Sequence, residues 1–218
     1  MADAIAPSGP RRRGVDRRAE LIAAAQRVIL RKSLEATTLR DIAREGGFTT
    51  GVASHWFPDK QALIVACFEA TSDDWIASTR EHVGARRDAL GKLDAMVRAA
   101  VPHEAGRQEQ WRLWSEMWTY AQRDPAFATV LVETDRHWER LIGEVLGAGV
   151  DEGVLPAGLD TAAHATIMAR LIDGLGIRAS VSGEWDGARE GLVRYLESIG
   201  LAPAHARGLG RGDHEEVR

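Results

Sequence analysis

Two groups of residues in this chain have the types and spacing for chemistry. The first is aromatic: Trp111, Trp114 and Trp118 fall at i, i+3 and i+7, on one face of a predicted helix. Trp75 and Trp138 lie on neighbouring predicted helices, and three of the 7 tryptophans on one stripe exceed what packing requires. Indole faces attract cations, so the stripe reads either as a cage for a quaternary amine or as a tryptophan-rich core. Glu116 and Asp135, close in sequence, could add carboxylates to a cation site. Met168, Leu171 and Ile172 are expected to line the inner side of a later helix, with Met168 and Leu171 in the ligand pocket, and His164 reaches a pocket or a partner chain or is structural. The second group is small and polar: Thr49, Thr50, Gly51, Val52, Ser54 and His55. Hydroxyls donate to or accept from base edges and phosphates, glycine admits close backbone approach, and valine suits a thymine methyl. No Arg, Asn or Gln stands among them for a bidentate base contact, so shape and water must share the reading. Thr38, Arg40, Trp56 and Lys60 are placed for phosphates, which position rather than specify. For Trp56 core packing is the competing reading.

The elements that must hold the polar group are two short helices. Thr38 can cap the first through its hydroxyl, with Asp41 as the reciprocal cap three residues on. Leu39, Ile42 and Ala43 form its apolar face, Gly46-Gly47 end it, and Phe48 plugs the turn. Thr49 caps the second helix, about Thr50 to Trp56, whose Val52, Ala53, Trp56 and Phe57 face the first. This is a helix-turn-helix of the DNA-binding kind. A helix from about Asp16 to Lys32 precedes it, and another runs from Lys60 to about residue 80. The remainder shows no β-patterned run; helices are expected at about 85–101, 107–123, 125–148, 160–182 and 186–199, with Gly147, Gly149, Gly153, Pro156 and Gly158 marking a loop. The expected fold is all-α. Residues 1–15 form a flexible basic arm, 16–60 a helix-turn-helix domain, 61–201 a helical ligand-binding and dimerisation domain, and 202–218 a disordered tail. Arg11-Arg12-Arg13 either follow a DNA strand or form a solvated tail.

Composition narrows the class. The net charge of −4 hides +4 over residues 1–60 and −8 over the rest, as suits a module that meets phosphate at one end. No apolar run approaches the ~20 residues of a membrane span, and the N-terminus lacks the apolar region of a secretory signal. The lone Cys67 cannot form an internal disulfide and suits a reducing cytoplasm; among Val65, Ala66 and Phe68 it reads as a small buried hydrophobe. The 7 histidines are scattered, without metal-ligand spacing. No GxSxG, HExxH, P-loop or GxGxxG occurs, so neither catalysis, a metal nor a cofactor is expected.

The chain resembles the TetR family of bacterial transcriptional regulators. The matching residues are Arg17 to Lys32, Thr37-Thr38-Leu39-Arg40-Asp41-Ile42-Ala43, Gly47-Phe48-Thr49-Thr50-Gly51 and Ser54-His55-Trp56-Phe57, followed by Lys60 and Leu63. Trp56 stands where the family commonly has tyrosine. GVASHWF together with Leu171-Ile172-Asp173-Gly174-Leu175 is similar to the BetI-like branch, which includes choline-responsive repressors. The resemblance implies a homodimer on a palindromic DNA operator, released by a small-molecule effector that is cationic or hydrophobic. It supports Thr38, Trp56 and Lys60 on phosphates, and it implies a four-helix dimer interface built from Ile167, Leu175, Ile177, Leu192 and Leu196. Gly174 and Gly176 could allow close helix approach there. Two recognition helices about 34–36 Å apart would read the palindrome. The alternatives are a non-regulatory, architectural DNA-binding protein and, more remotely, an all-helical enzyme.

Overall fold

The computed structural model describes residues 10–210, and every regular element among them is an α-helix. The chain divides into two compact units, one ending at Thr71 and the other beginning at Ser72. The helix α4 (Lys60–Gly84) contributes residues to both.

The first unit holds α1 (Pro10–Lys32), α2 (Leu39–Glu45), α3 (Thr50–Trp56) and the start of α4. α1 begins at Pro10 rather than Asp16, because proline's fixed φ and missing N–H suit a first helical position. Residues 10–15 of the expected flexible arm are therefore helical, and 1–9 lie outside the described residues. Leu21, Ala25, Val28 and Ile29 of α1 are buried with Ile42, Ala43, Ala53, Phe57, Leu63 and Phe68. Cys67 is enclosed there; burial pushes its thiol up to about 12, and it donates weakly to the Ile22 carbonyl at 3.7 Å.

The turn between α2 and α3 shows why two glycines stand together. Phe48 N–H donates to the Ala43 carbonyl (2.8 Å) and Gly47 N–H to that of Arg44 (3.2 Å), closing a Schellman motif. Gly47 takes φ +72°, a conformation that costs any side chain. Gly46 serves differently: a Cβ there would lie 2.8 Å from the Phe48 ring, so the missing side chain makes room for the plug.

The second unit holds the rest of α4 with α5 (Ala89–Ala100), α6 (Ala105–Ala121), α7 (Pro125–Asp151), α8 (Thr161–Ser182), α9 (Trp185–Ser198) and α10 (Pro203–Ala206). α7 packs on α5 and α8, and α8 also on α6 and α9. Three expectations need correction. Gly147 and Gly149, read as loop, lie inside α7; Gly149 accepts the Leu155 side chain 2.8 Å from where its Cβ would be. Residues 202–210, read as disordered tail, are folded onto the body: Leu201, Ala206 and Leu209 are buried, and Gly210 N–H donates to the Asp94 carboxylate at 2.8 Å. Residues 211–218 lie outside the described ones. Leu192 and Leu196, read as dimer interface, are 0 % exposed within one chain. With Ala188 they form an i, i+4, i+8 stripe that α9 turns into its own core. Of the other expected interface residues, Ile167 is 50 % exposed, while Leu175 and Ile177 are half-buried on the core's edge. Val181, also on α8, is 86 % exposed, the most of any large apolar residue among the described residues.

Candidate functional site: a polar reading helix and a tryptophan slot

In the first unit, α3 turns Ala53 inward, its C-cap Phe57 is buried, and Thr50, Gly51, Ser54 and His55 are exposed. Its cap is the one the sequence indicates: the exposed Thr49 hydroxyl accepts Val52 N–H at 3.3 Å. Val52 and Trp56 are half-buried, and the Trp56 ring meets His55 edge-on at 5.6 Å. Thr38 closes the expected capping box: its hydroxyl accepts Asp41 N–H at 3.2 Å and its own backbone N–H donates to the Asp41 carboxylate at 3.3 Å, with the hydroxyl donating to the same carboxylate at 2.8 Å. Lys32 and Arg44 each reach Asp41 at 2.9 Å. Asp41 is drawn down to about 2, first by the Lys32 hydrogen bond and then by that of Thr38. Glu45 falls likewise to about 2 under Arg31 and Arg27. Arg40 is exposed. Lys60, half-buried, donates to the Glu35 carbonyl at 2.9 Å, so its ammonium ties the start of α4 to the loop after α1. Burial lowers its pKa.

The second unit contains a narrow apolar slot of about 50 Å³, open to solvent at its mouth. α4 supplies Ser72, Trp75 and Ile76; α6 supplies Trp111, Trp114 and Trp118; α7 supplies Thr134, Asp135 and Trp138; α8 supplies Ile172 and Asp173. All five tryptophans singled out from the sequence meet here. Trp75 and Trp111 pack edge to face at 6.2 Å, and Arg107 lies over the Trp75 ring at 5.1 Å. Trp111 is 5 % exposed, and its enclosed indole N–H finds no acceptor among the described residues. The ring lies against Gly176, where a Cβ would come within 2.4 Å of it. Gly176 is thus the floor under a slot wall, not an interface glycine.

Met168 and Leu171 do not line the slot. Met168 is fully buried one turn before Ile172, and Leu171 sits about 100° around α8 from Ile172, packed on the core. Glu116 also lies outside the lining. His164 is tied within the chain, as its structural reading has it: its ring meets the Tyr195 hydroxyl at 3.0 Å.

Asp173 is the charged lining residue that sequence reasoning missed, along with Ser72, Ile76 and Thr134. The available signal was a carboxylate inside the apolar run Ile167–Ile177, three residues after Arg170. Burial, then the neighbouring Asp135, raise it to about 7; burial raises Asp135 as well. Arg170 Nη1 lies 3.4 Å from Asp135 and 3.5 Å from Asp173, while its Nη2 is committed to Glu139 at 2.6 Å. A rigid aromatic slot with surplus negative charge on one wall is suited to a small organic cation.

A capped helix-turn-helix unit followed by a helical unit with an aromatic slot is the arrangement expected of a ligand-responsive, DNA-binding transcriptional regulator. Residues 21–67 match the family described as bacterial regulatory proteins, tetR family, and residues 89–200 the BetI-type transcriptional repressor C-terminal domain. The HTH-type transcriptional regulator BetI of Burkholderia cenocepacia is 34 % identical over 169 residues, covering 77 % of this chain and 84 % of that protein. Among solved structures, a putative transcriptional regulator from Saccharomonospora viridis in complex with choline superposes with a TM-score of 0.75 at 23 % identity, covering 84 % of this chain and 96 % of that one. A putative TetR-family regulator from Rhodococcus sp. gives 0.76 at 21 %, covering 86 % and 100 %. The chain belongs to the TetR family and carries a BetI-type C-terminal domain. Regulators of this family act on operator DNA as dimers and respond to small molecules. Among the described residues no helix is long and apolar enough to cross a membrane.

Proposed function

We propose that this chain is a repressor whose effector is a small quaternary ammonium compound of the choline class, bound in the tryptophan slot. The observation that carries the reading is the pairing of tryptophan walls with Asp135 and Asp173 on one side of the slot. The choline complex of the Saccharomonospora viridis protein and the likeness to BetI support it. Base edges are met by Thr49, Thr50, Gly51, Val52, Ser54 and His55, and phosphates by Thr38, Arg40 and Trp56. Lys60 contributes positive potential while it holds the Glu35 carbonyl. The dimer forms through the exposed Ile167 and Val181 of α8, with Leu175 and Ile177 at the edges of that surface.

The coupling runs through α4, which carries Lys60 at its start and Ser72, Trp75 and Ile76 of the slot further along. A ligand shifts the DNA-binding equilibrium only by its differential affinity for the two states. The effector therefore binds more tightly when the α4 wall closes on it, and that state releases DNA.

The test starts with DNA selected by the protein from a random-sequence pool. Binding that weakens with salt and is reversed by choline is expected. The Thr50→Ala/Ser54→Ala double variant should lose sequence preference. Selected DNA that stays bound at saturating choline would sink the effector assignment, and unchanged preference in the double variant would sink the reading helix.

A further inference from the structure

We propose that Asp135 and Asp173 hold a proton between them in the empty slot and release it to solvent when an organic cation enters, so that the slot selects permanent cations by proton exchange. This rests on the reading above that the slot takes a cation.

The geometry leaves one carboxylate without full compensation. Asp135 from α7 and Asp173 from α8 both line the slot and both approach the same guanidinium nitrogen, Arg170 Nη1. The other terminal nitrogen of Arg170 is taken by Glu139 of α7. One guanidinium therefore faces three carboxylates. The charged groups acting on Asp173 are Asp135 and Glu139 from α7 and Arg170 from its own helix. α4 and α6 line the slot with Ser72, Ile76 and indoles, and the charged side chain they bring to its wall is Arg107 of α6, over the Trp75 ring at 5.1 Å. In apolar surroundings two neighbouring carboxylates resist double ionisation, and such a pair titrates as a unit. The upward direction for both aspartates agrees with that.

An entering ammonium group supplies the charge the pair lacks. Both carboxyls then ionise, the proton passes to buffer, and the slot's net charge is unchanged: one positive charge leaves as another arrives. A neutral isostere offers no such replacement and leaves the proton in place. Affinity for a cation must therefore rise with pH across the range in which the pair titrates, and binding must release a proton in that range.

The experiment is calorimetry of the full chain with tetramethylammonium chloride at pH 6 and pH 8, repeated in buffers of different ionisation heat. Affinity at pH 8 should exceed that at pH 6 by about tenfold, the limit for one displaced proton titrating near the middle of the range. The observed heat at intermediate pH should vary with the buffer. Asp173→Asn should remove both effects; if that variant does not fold, the wild-type proton count decides alone. Equal affinity at both pH values with buffer-independent heat overturns the exchange and leaves the cation slot standing. No tetramethylammonium binding at either pH overturns the slot reading and the exchange with it.

Discussion

The two units handle their carboxylates in opposite ways. In the DNA-reading unit, Asp41 and Glu45 sit among Lys32, Arg44, Arg27 and Arg31 and are pulled down to about 2. In the slot unit, Asp173 is pushed up to about 7 by burial and by Asp135, with Arg170 as a shared counter-charge. The first arrangement spends its charges on holding helices together. The second sets three carboxylates around one guanidinium against an aromatic cavity, which suits the cation proposed for it. Perturbed groups in a cavity mark function more often than satisfied ones on a surface.

The sharpest way to break the contrast is at Gly176. Gly176→Ala drives a Cβ into the rigid Trp111 ring and should destabilise by about 1–3 kcal/mol. It should also weaken choline binding, because the slot wall must move; thermal unfolding and calorimetry check both. A smaller effect is expected at Asp173. Its pKa is raised in the folded chain, so its contribution to stability is present below the ordinary carboxylate value of ~4 and is lost as pH rises toward about 7. Asp173→Asn should therefore raise stability at pH 8, on the order of 2 kcal/mol, and change little at pH 4. Asp41 and Glu45 run the other way: their contribution is present above ~4 and is lost as pH falls toward about 2. Unfolding measured from pH 2 to 8 in wild type and Asp173→Asn separates the two.

Trp118→Ala should cost roughly tenfold in choline affinity, since a desolvated cation–π contact is worth about 1–2 kcal/mol. DNA affinity should be unchanged, which would place the indole in the slot's function alone. The smallest effect is Thr38→Ala, which removes a cap worth about 1 kcal/mol and should lower stability and DNA affinity but not choline affinity. A loss of choline affinity there would erase the distinction between the units.

The same contrast explains what could be read in advance. The helix-turn-helix is local: caps, glycines and the Phe48 plug act within a few residues, so Thr38, Asp41, Gly47 and Thr49 take the predicted roles. The tryptophan stripe was legible because i, i+3, i+7 spacing sets one face of one helix. Its complement was not. Asp173 lines the slot only because α8 packs against α6 and α7, and no local pattern separates it from a solvated acid. Leu192 and Leu196 read as surplus apolar surface because the amount of core α9 must cover is a tertiary quantity. Residues 202–210 are polar and glycine-bearing, yet Leu209 is buried and the Gly210 amide docks on Asp94 of α5, 116 positions away. Lys60 stood at a phosphate-contacting position by resemblance, and its bond to Glu35 was outside what spacing could show.

The most direct test of the cation slot is calorimetric titration of the full chain with choline and with its neutral carbon isostere, 3,3-dimethylbutan-1-ol. The two ligands share shape and hydroxyl and differ by one charge. Binding of choline at least about tenfold tighter, as cation–π attraction and the aspartate pair require, is the predicted result. Equal affinities would mean that the slot recognises apolar shape alone, and would contradict the account.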